Sequence, residues 1–297
     1  MAPCIQAHNP FNVEYLVDFF YFCRINSQKI MEKKKVLFIS QEITPYLPES
    51  EISEISRHLP QGIQERGREI RTFMPRYGSV NERRNQLHEV IRLSGMNLVI
   101  NDTDHPLIIK VASIQAARMQ VYFIDNEDYF HRKAKFGDSK GKEFEDNDER
   151  AIFFARGVLE TVIKLRWAPD LIHCHGWFTG LVPLFIKKIY KDNPLFANSK
   201  VVYSAYNDAF KTPLNNQIIS KIAEDGIPKE DISVLSDPTF VNLSKLAVDY
   251  SDATIKGSES INEEVESYMK NSGKLFLDYQ PADTYIDAYS EFYDKIF

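Results

Sequence analysis

Short apolar runs alternate with stretches of helical periodicity from Val36 onward, and this alternation constrains the fold of the 297-residue chain more than any other feature. Residues 36–39 are apolar at every position, which is typical of a strand buried on both faces. Helical periodicity then covers 52–66, Gly67 follows where a C-terminal cap would stand, and a second apolar run covers 70–74. This order predicts a βαβ unit and therefore a parallel sheet covered by helices.

The rest of the chain continues the pattern with one interruption. Between 96 and 126, short β-rich segments separated by polar turns predict antiparallel strands at 96–100, 107–111 and 119–124. Later strands are predicted at 170–175, 201–205, 253–255 and 273–277, and helices at 148–163, 181–190, 214–224, 240–250, after Ser260 and after Pro281. Ser260 and Glu263 have the spacing of a capping box. The predicted fold class is α/β: a Rossmann-like parallel sheet with helices on both faces and an inserted antiparallel β segment.

Three regions are predicted along the chain. Residues 1–30 form an N-terminal extension, and we expect the functional chain to begin at Met31, directly before the first convincing strand. The alternative is a genuine N-terminal helix whose aromatic face packs on the body of the protein. Residues 31–272 form the Rossmann-like domain, and 273–297 form a closing strand and helix whose aromatic stripe is expected to pack against the sheet, with a docking face for a partner as the alternative. The charged stretch 137–148 is predicted to be a mobile surface loop.

Composition excludes several classes of protein. A net charge of -6 and a pI of about 5.7 argue against a general nucleic-acid binder. The chain has no uninterrupted run of about 18 apolar residues, so the sequence predicts no membrane-spanning helix. Three scattered cysteines, Cys4, Cys23 and Cys174, do not form a disulfide or zinc framework, which suits the cytoplasm. No Walker or G-x-G-x-x-G motif follows any predicted strand, so the sequence gives no sign of a P-loop or a bound dinucleotide cofactor.

Polar residues collect at the carboxyl ends of the predicted strands, where ligands bind in open α/β sheets. They are Glu42, His173, His175, Asn207 and the pair Gly257-Ser258. The two histidines lie two apart on one strand and should share a face, as zinc ligands sometimes do. Because the sequence offers no clear third ligand, we expect a structural or substrate-binding role and no metal. Cys174 should point the other way, into inert core.

Taken together, the motifs resemble the N-terminal catalytic domain of bacterial glycogen synthases and plant starch synthases. The resemblance covers about 35–260 and rests on the order and spacing of short segments, namely 36–45 (VLFISQEITP), 59–60, 67–71, 74–77, 125–129, 146–150 (DNDER), 153–157, 172–177 (IHCHGW) and 202–207 (VYSAYN). It implies one half of the GT-B architecture, in which two Rossmann-like domains face each other across a cleft.

The family transfers glucose from ADP-glucose to the non-reducing end of an α-1,4-glucan with retention of configuration and without a metal or other cofactor. The resemblance implies catalytic roles for Glu42, Asp146 and His175 at the cleft, with His175 beside the transferred sugar. The predicted substrate-binding residues are Tyr129, Asn207, Glu54, Gly257 and Ser258. The implied partners are an α-glucan, a nucleotide sugar and a chain carrying the second domain, which we expect to lie outside this chain.

The sequence also departs from the family pattern. Where the family has Lys-x-Gly-Gly, residues 48–51 read Pro-Glu-Ser-Glu, and the two carboxylates would repel a diphosphate. Gly176 replaces an Asp of the family pattern, and Phe178 and Tyr206 each replace a His. Glu54 replaces an Asp and so keeps a carboxylate at that position. Two hypotheses follow. The chain is a glucan synthase, alone or as one half of a split synthase, or it is a catalytically inactive module that binds glucan or a sugar nucleotide.

Overall fold

The computed structural model describes residues 33–297, and only these are discussed below. They form ten strands: β1 Lys35–Ser40, β2 Glu69–Pro75, β3 His88–Glu89, β4 Met96–Ile100, β5 Thr103–Ile114, β6 Met119–Asp125, β7 Leu171–His175, β8 Lys200–Ala205, β9 Ala253–Lys256 and β10 Leu275–Leu277. The eight α-helices within this range are α1 Glu51–Glu65, α2 Glu127–Phe130, α3 Asn147–Leu165, α4 Val182–Lys188, α5 Ile218–Ala223, α6 Phe240–Tyr250, α7 Glu263–Asn271 and α8 Tyr285–Asp294. No helix in the described part of the chain is long and apolar enough to cross a membrane.

The strands form one sheet with a parallel centre and an antiparallel margin. Their order is β10-β9-β8-β7-β1-β2-β6-β5-β3, and β4 pairs with β5 beside this path. All neighbours from β10 to β6 are parallel, whereas β5 pairs antiparallel with β6, β3 and β4. The chain builds outward from β1 in one direction through β2 and β6, then returns to β1's other side with β7. This reversal places a topological switch point between β1 and β7, where a crevice opens in doubly wound folds.

Side chains alternate between two cores, one on each face of the sheet. Leu37, Ile39 and Cys174 face the larger core with helices α3, α4 and α6, as the sequence predicts for Cys174. Val36 and Phe38 face the smaller core, which α1 and α8 cover with Leu59, Ile63, Tyr285, Tyr289, Phe292, Tyr293 and Ile296. The aromatic stripe of α8 is therefore buried against the sheet, and its predicted packing role is confirmed.

Helix α8 is fixed to α1 by shape and by charge. A Cβ atom placed on Gly62 would lie 2.4 Å from Ile286 Cγ2, so a larger residue there would displace the Ile286 side chain from α1. Arg66 pairs with Asp287, and Arg68 donates to Asp294 at 2.6 Å.

Two local predictions are wrong. The helix predicted at 214–224 spans only Ile218–Ala223, and Leu214 lies in the preceding loop, where its N–H donates to the carbonyl of Pro238 at 3.0 Å. The capping box at Ser260 and Glu263 does not form. Instead, the Asn262 side chain accepts from the N–H groups of Glu264 and Val265 and caps α7. Of the loop predicted at 137–148, residues 137–146 lie outside helices and strands as expected, whereas Asn147 and Asp148 are buried in the first turn of α3. The mobility of the loop stays a prediction.

Candidate functional site

The candidate site lies at the carboxyl ends of β1, β7, β8 and β9, around the switch point. The loop after β1 supplies Gln41 and Glu42, and the turn after β7 supplies Gly176. Asn207 and Asp208 follow β8, and Ser258 follows β9. Parallel strands bring these loops to one edge of the sheet, so residues far apart in sequence meet there.

Glu42 is a buried carboxylate with a cationic partner. It is 4% exposed, and its Oε2 accepts a hydrogen bond from Lys135 Nζ. The backbone around it is fixed because Ser40 Oγ donates to the Glu42 carbonyl at 2.9 Å. A buried carboxylate is costly to the fold unless it is paired, and Lys135 supplies that partner.

The turn after β7 has a conformation that essentially only glycine adopts. Gly176 has φ 81° and ψ 167°. The following N–H groups are bound by side chains from two other loops: Trp177 N donates to Asp208 Oδ2 at 3.1 Å, and Phe178 N donates to Gln41 Oε1 at 3.2 Å. A Cβ atom on Gly176 would lie 2.5 Å from Gln41 Oε1 and 2.8 Å from Asp208 Oδ2. The missing side chain thus makes room for two acceptors.

Asp208 holds its proton more tightly than an ordinary aspartate. Burial raises the pKa of this carboxyl to about 7, and the nearby Glu42 charge adds to the rise, while the hydrogen bond from Trp177 N–H opposes it. Its Oδ1 atom is buried and has no hydrogen-bond partner. Near neutral pH, Asp208 is therefore present in both protonation states.

The two histidines of β7 share a face, as predicted, but they are sealed in the interior. Their ring centroids are 3.8 Å apart, and both side chains are fully buried. His173 is bonded at both nitrogens, by Tyr293 Oη and Ser204 Oγ, each at 2.6 Å. His175 Nδ1 is bonded to Tyr206 Oη at 2.7 Å, while its Nε2 has no partner.

Burial governs the charge of this histidine pair. It lowers the pKa of His175 to about 3 and places the pKa of His173 well below its usual range, where the neighbouring His175 adds to the fall. Both rings are neutral at physiological pH. The predicted place of His175 beside a sugar stays a prediction, and the ring is fully buried in this structure.

Ser258 links three loops at the edge of the site. Its Oγ accepts from Asn207 N–H at 3.0 Å and donates to the carboxylate of Glu51. Gly257 lies against Tyr206, because a Cβ atom there would be 2.4 Å from the Tyr206 ring. These contacts bring together Asn207, Gly257 and Ser258 from the predicted set, and Glu42 lies near Asp208, the residue after Asn207.

Three further predicted residues, Tyr129, Asp146 and Glu54, make side-chain contacts with residues outside this group. Tyr129 is buried, donates to Glu149 Oε2 at 3.0 Å and lies 3.0 Å from His105 Nε2. Asp146 forms a two-pronged ion pair with Arg132 at 2.5 Å. Glu54 lies on α1, 3.3 Å from the ring of His58. None of the three shares a hydrogen bond with Glu42 or Ser258 among residues 33–297.

Comparisons with known proteins identify the family. Residues 35–275 match the model of the starch synthase catalytic domain. The chain belongs to this family. It is 38% identical to the glycogen synthase of Chlorobium limicola over 202 residues, 68% of this chain and 40% of that protein. It is 34% identical to the glycogen synthase of Chlorobium phaeovibrioides over 239 residues, 80% of this chain and 48% of that protein.

The fold matches a solved member of the starch synthase family. The catalytic domain of starch synthase IV from Arabidopsis thaliana, bound to ADP and acarbose, aligns with a TM-score of 0.69 and 17% sequence identity, covering 85% of this chain and 53% of that one. The α/β fold predicted for a GT-B half is confirmed. The chain spans 40% to 48% of the length of the two Chlorobium glycogen synthases.

Sequence reasoning missed two residues of the site, Asp208 and Lys135. A carboxylate next to the Gly176 turn comes from Asp208, whose Oδ2 accepts from the Trp177 N–H. Asp208 directly follows the predicted Asn207, and this adjacency was the available signal. Lys135 gave no signal, since it meets Glu42 across 93 residues of sequence.

Proposed function

We propose that this chain contributes glucosyl transfer of the glycogen and starch synthase type, moving glucose from ADP-glucose to the non-reducing end of an α-1,4-glucan with retention. The family match over 35–275 carries this proposal. The carboxyl-edge site supports it, because a paired buried carboxylate at Glu42 and a carboxyl of raised pKa at Asp208 lie at one edge of the sheet, near enough for the Glu42 charge to add to that rise. Most contacts to the nucleotide would come from a second domain or a partner chain, in the cytoplasm.

Transfer is tested with radiolabelled ADP-glucose and glycogen. The purified protein, alone or supplemented with cell lysate as a source of a second domain, should incorporate label into glycogen, and α-amylase should release that label. Label that α-amylase leaves in place would contradict the α-1,4 linkage. Absence of incorporation under both conditions would reject the transferase.

A catalytically inactive glucan-binding module is the second candidate, and the start of α1 favours it. The stretch 48–51 replaces the lysine and glycines of the family with two acids, and Glu51 is bound by Ser258 at the edge where a diphosphate would approach. The full burial of His175 points the same way. Calorimetry distinguishes the two candidates: the module binds maltooligosaccharides without turnover, whereas the transferase also consumes ADP-glucose.

A further inference from the structure

A cavity lies at the edge of the sheet opposite the candidate site, where the parallel strands β2 and β6 begin. Its volume is about 460 Å³, within the roughly 300–1,000 Å³ that ligand sites commonly occupy. Its walls come from the last turn of α1, the starts of β2 and β6, and the turn that joins β5 to β6; the lining is Gln64, 69–71, 113–115, 118–120 and Tyr122. No residue of the carboxyl-edge site lines it, so the two places are separate.

Arg71 is held in the wall of this cavity by aromatic rings and not by an acid. Its guanidinium carbon lies 5.1 Å from the centroid of the Trp167 ring and 5.7 Å from that of Tyr122. Its Nη1 donates to Tyr122 Oη at 3.0 Å. Within residues 33–297, no carboxylate forms an ion pair with it. A planar guanidinium that is already oriented loses little side-chain freedom when a ligand binds.

Arg118 brings a second guanidinium to the same cavity from the turn between β5 and β6. It is exposed, and its side chain has no hydrogen bond or ion pair in the part of the chain that the structure describes. Two cations that share a cavity without an acidic partner repel each other. An anion that both can contact removes this repulsion and gains charge-assisted hydrogen bonds.

The remaining lining is polar and carries little negative charge. Amide and hydroxyl side chains come from Gln64, Ser113, Gln115 and Gln120. Among residues 33–297, Glu69 is the single acid that lines the cavity, and its Oε1 accepts a hydrogen bond from Trp167 Nε1. Two arginines thus stand against one glutamate, and the cavity has a net positive charge with hydrogen-bonding groups around it.

We propose that this cavity binds a phosphate monoester of a small hydroxylated molecule, with the phosphate between Arg71 and Arg118. A phosphate monoester carries a charge of about −1.5 to −2 near neutral pH and has three acceptor oxygens, enough for two guanidinium groups. A carboxylate has one charge and two oxygens, which a single arginine can satisfy. The hydroxyl groups of the ligand would meet the amide side chains of the wall. This site does not depend on the proposed function.

Calorimetry of the full chain tests the proposal in a phosphate-free buffer of constant ionic strength. Glycerol 3-phosphate is the probe, and glycerate is its carboxylate counterpart, which should bind at least roughly tenfold more weakly. Arg71→Gln and Arg118→Gln each remove one guanidinium and should weaken binding of glycerol 3-phosphate by roughly tenfold or more. Glu69→Gln removes the acid from the wall and should strengthen binding by roughly two- to fivefold.

Arg166→Gln is the matched control for Arg118→Gln. Both arginines are exposed and have φ 50°, and Arg166 lies outside the lining. Its substitution changes the net charge equally but should leave the affinity unchanged. An equal loss in the two variants would overturn the proposal, because it would show attraction to the overall charge and not to a site. Absence of glycerol 3-phosphate binding by the wild type, or equal affinity for glycerate, would also overturn it. Since the Arg118 side chain makes no contact that holds the fold, lost binding in Arg118→Gln reports on the site itself.

Discussion

Replacing Gly257 with alanine should destabilise the folded protein by displacing the Tyr206 ring. The added methyl group would lie 2.4, 2.6 and 2.7 Å from three carbon atoms of the Tyr206 ring. Real Cβ atoms do not approach other atoms so closely, so the ring must move. Tyr206 Oη is the hydrogen-bond partner of His175 Nδ1, and His175 Nε2 already has none. Displacing the ring therefore leaves a fully buried imidazole without a partner at either nitrogen.

The size of the effect follows from two costs. Overpacking a well-filled interior costs about 1–3 kcal/mol. Leaving a buried polar group unsatisfied costs about 1–3 kcal/mol more. The lower entropy of an unfolded chain with alanine returns about 0.4–1 kcal/mol. We expect Gly257→Ala to lower the free energy of unfolding by about 2–5 kcal/mol, a large part of the roughly 5–15 kcal/mol that holds such domains folded.

Urea denaturation of a double-mutant cycle measures this effect and its origin. Tyr206→Ala removes the ring, so adding Gly257→Ala in that background should be neutral or slightly stabilising. An equal loss in both backgrounds would refute the argument, because the cost would then come from the backbone at position 257 and not from the ring.

Two further predictions concern charges at the carboxyl edge. Lys135→Met leaves Glu42 buried and unpaired and should lower the free energy of unfolding by about 3–5 kcal/mol. Lys142→Met is the control, since it breaks an exposed pair with Glu145 and should leave that free energy unchanged. Equal effects of the two variants in urea denaturation would contradict this prediction. The free energy of unfolding of Asp208→Asn should rise relative to that of the wild type as pH increases from 4 to 7. The pKa of Asp208 is about 7 in the folded protein against 3.8 ordinarily, so over this range ionisation favours the unfolded wild type, and asparagine does not ionise. A gap in stability that stays constant over this pH range would show that Asp208 ionises normally.

The sequence predicted most strands of the sheet correctly, because a strand buried on both faces shows as a short apolar run. The apolar runs at 36–39 and 70–74 became β1 and β2, and the predicted helix at 240–250 matches α6 at both ends. Alternation along β7 placed both histidines on one face and Cys174 on the other, since side-chain direction on a strand follows from position alone.

Tertiary contacts explain what the sequence could not predict. The helix expected at 214–224 begins only at Ile218, and Leu214 before it makes a backbone hydrogen bond to Pro238, a contact that no local pattern encodes. The pairing of Glu42 with Lys135 and the approach of Asp208 to Gly176 depend on which loops the topology brings together. The catalytic roles of Glu42, Asp146 and His175 stay predictions.

The union of α8 with α1 has a consequence for synthesis of the protein on the ribosome. Arg66 and its partner Asp287 are 221 residues apart, so α1 leaves the ribosome long before α8 exists. Until then, the apolar face made by Val36, Phe38 and the inner side of α1 has no cover. Such nascent chains expose surface that aggregates, and contacts of long sequence separation form slowly. We therefore expect the growing chain to depend on chaperones until α8 is complete.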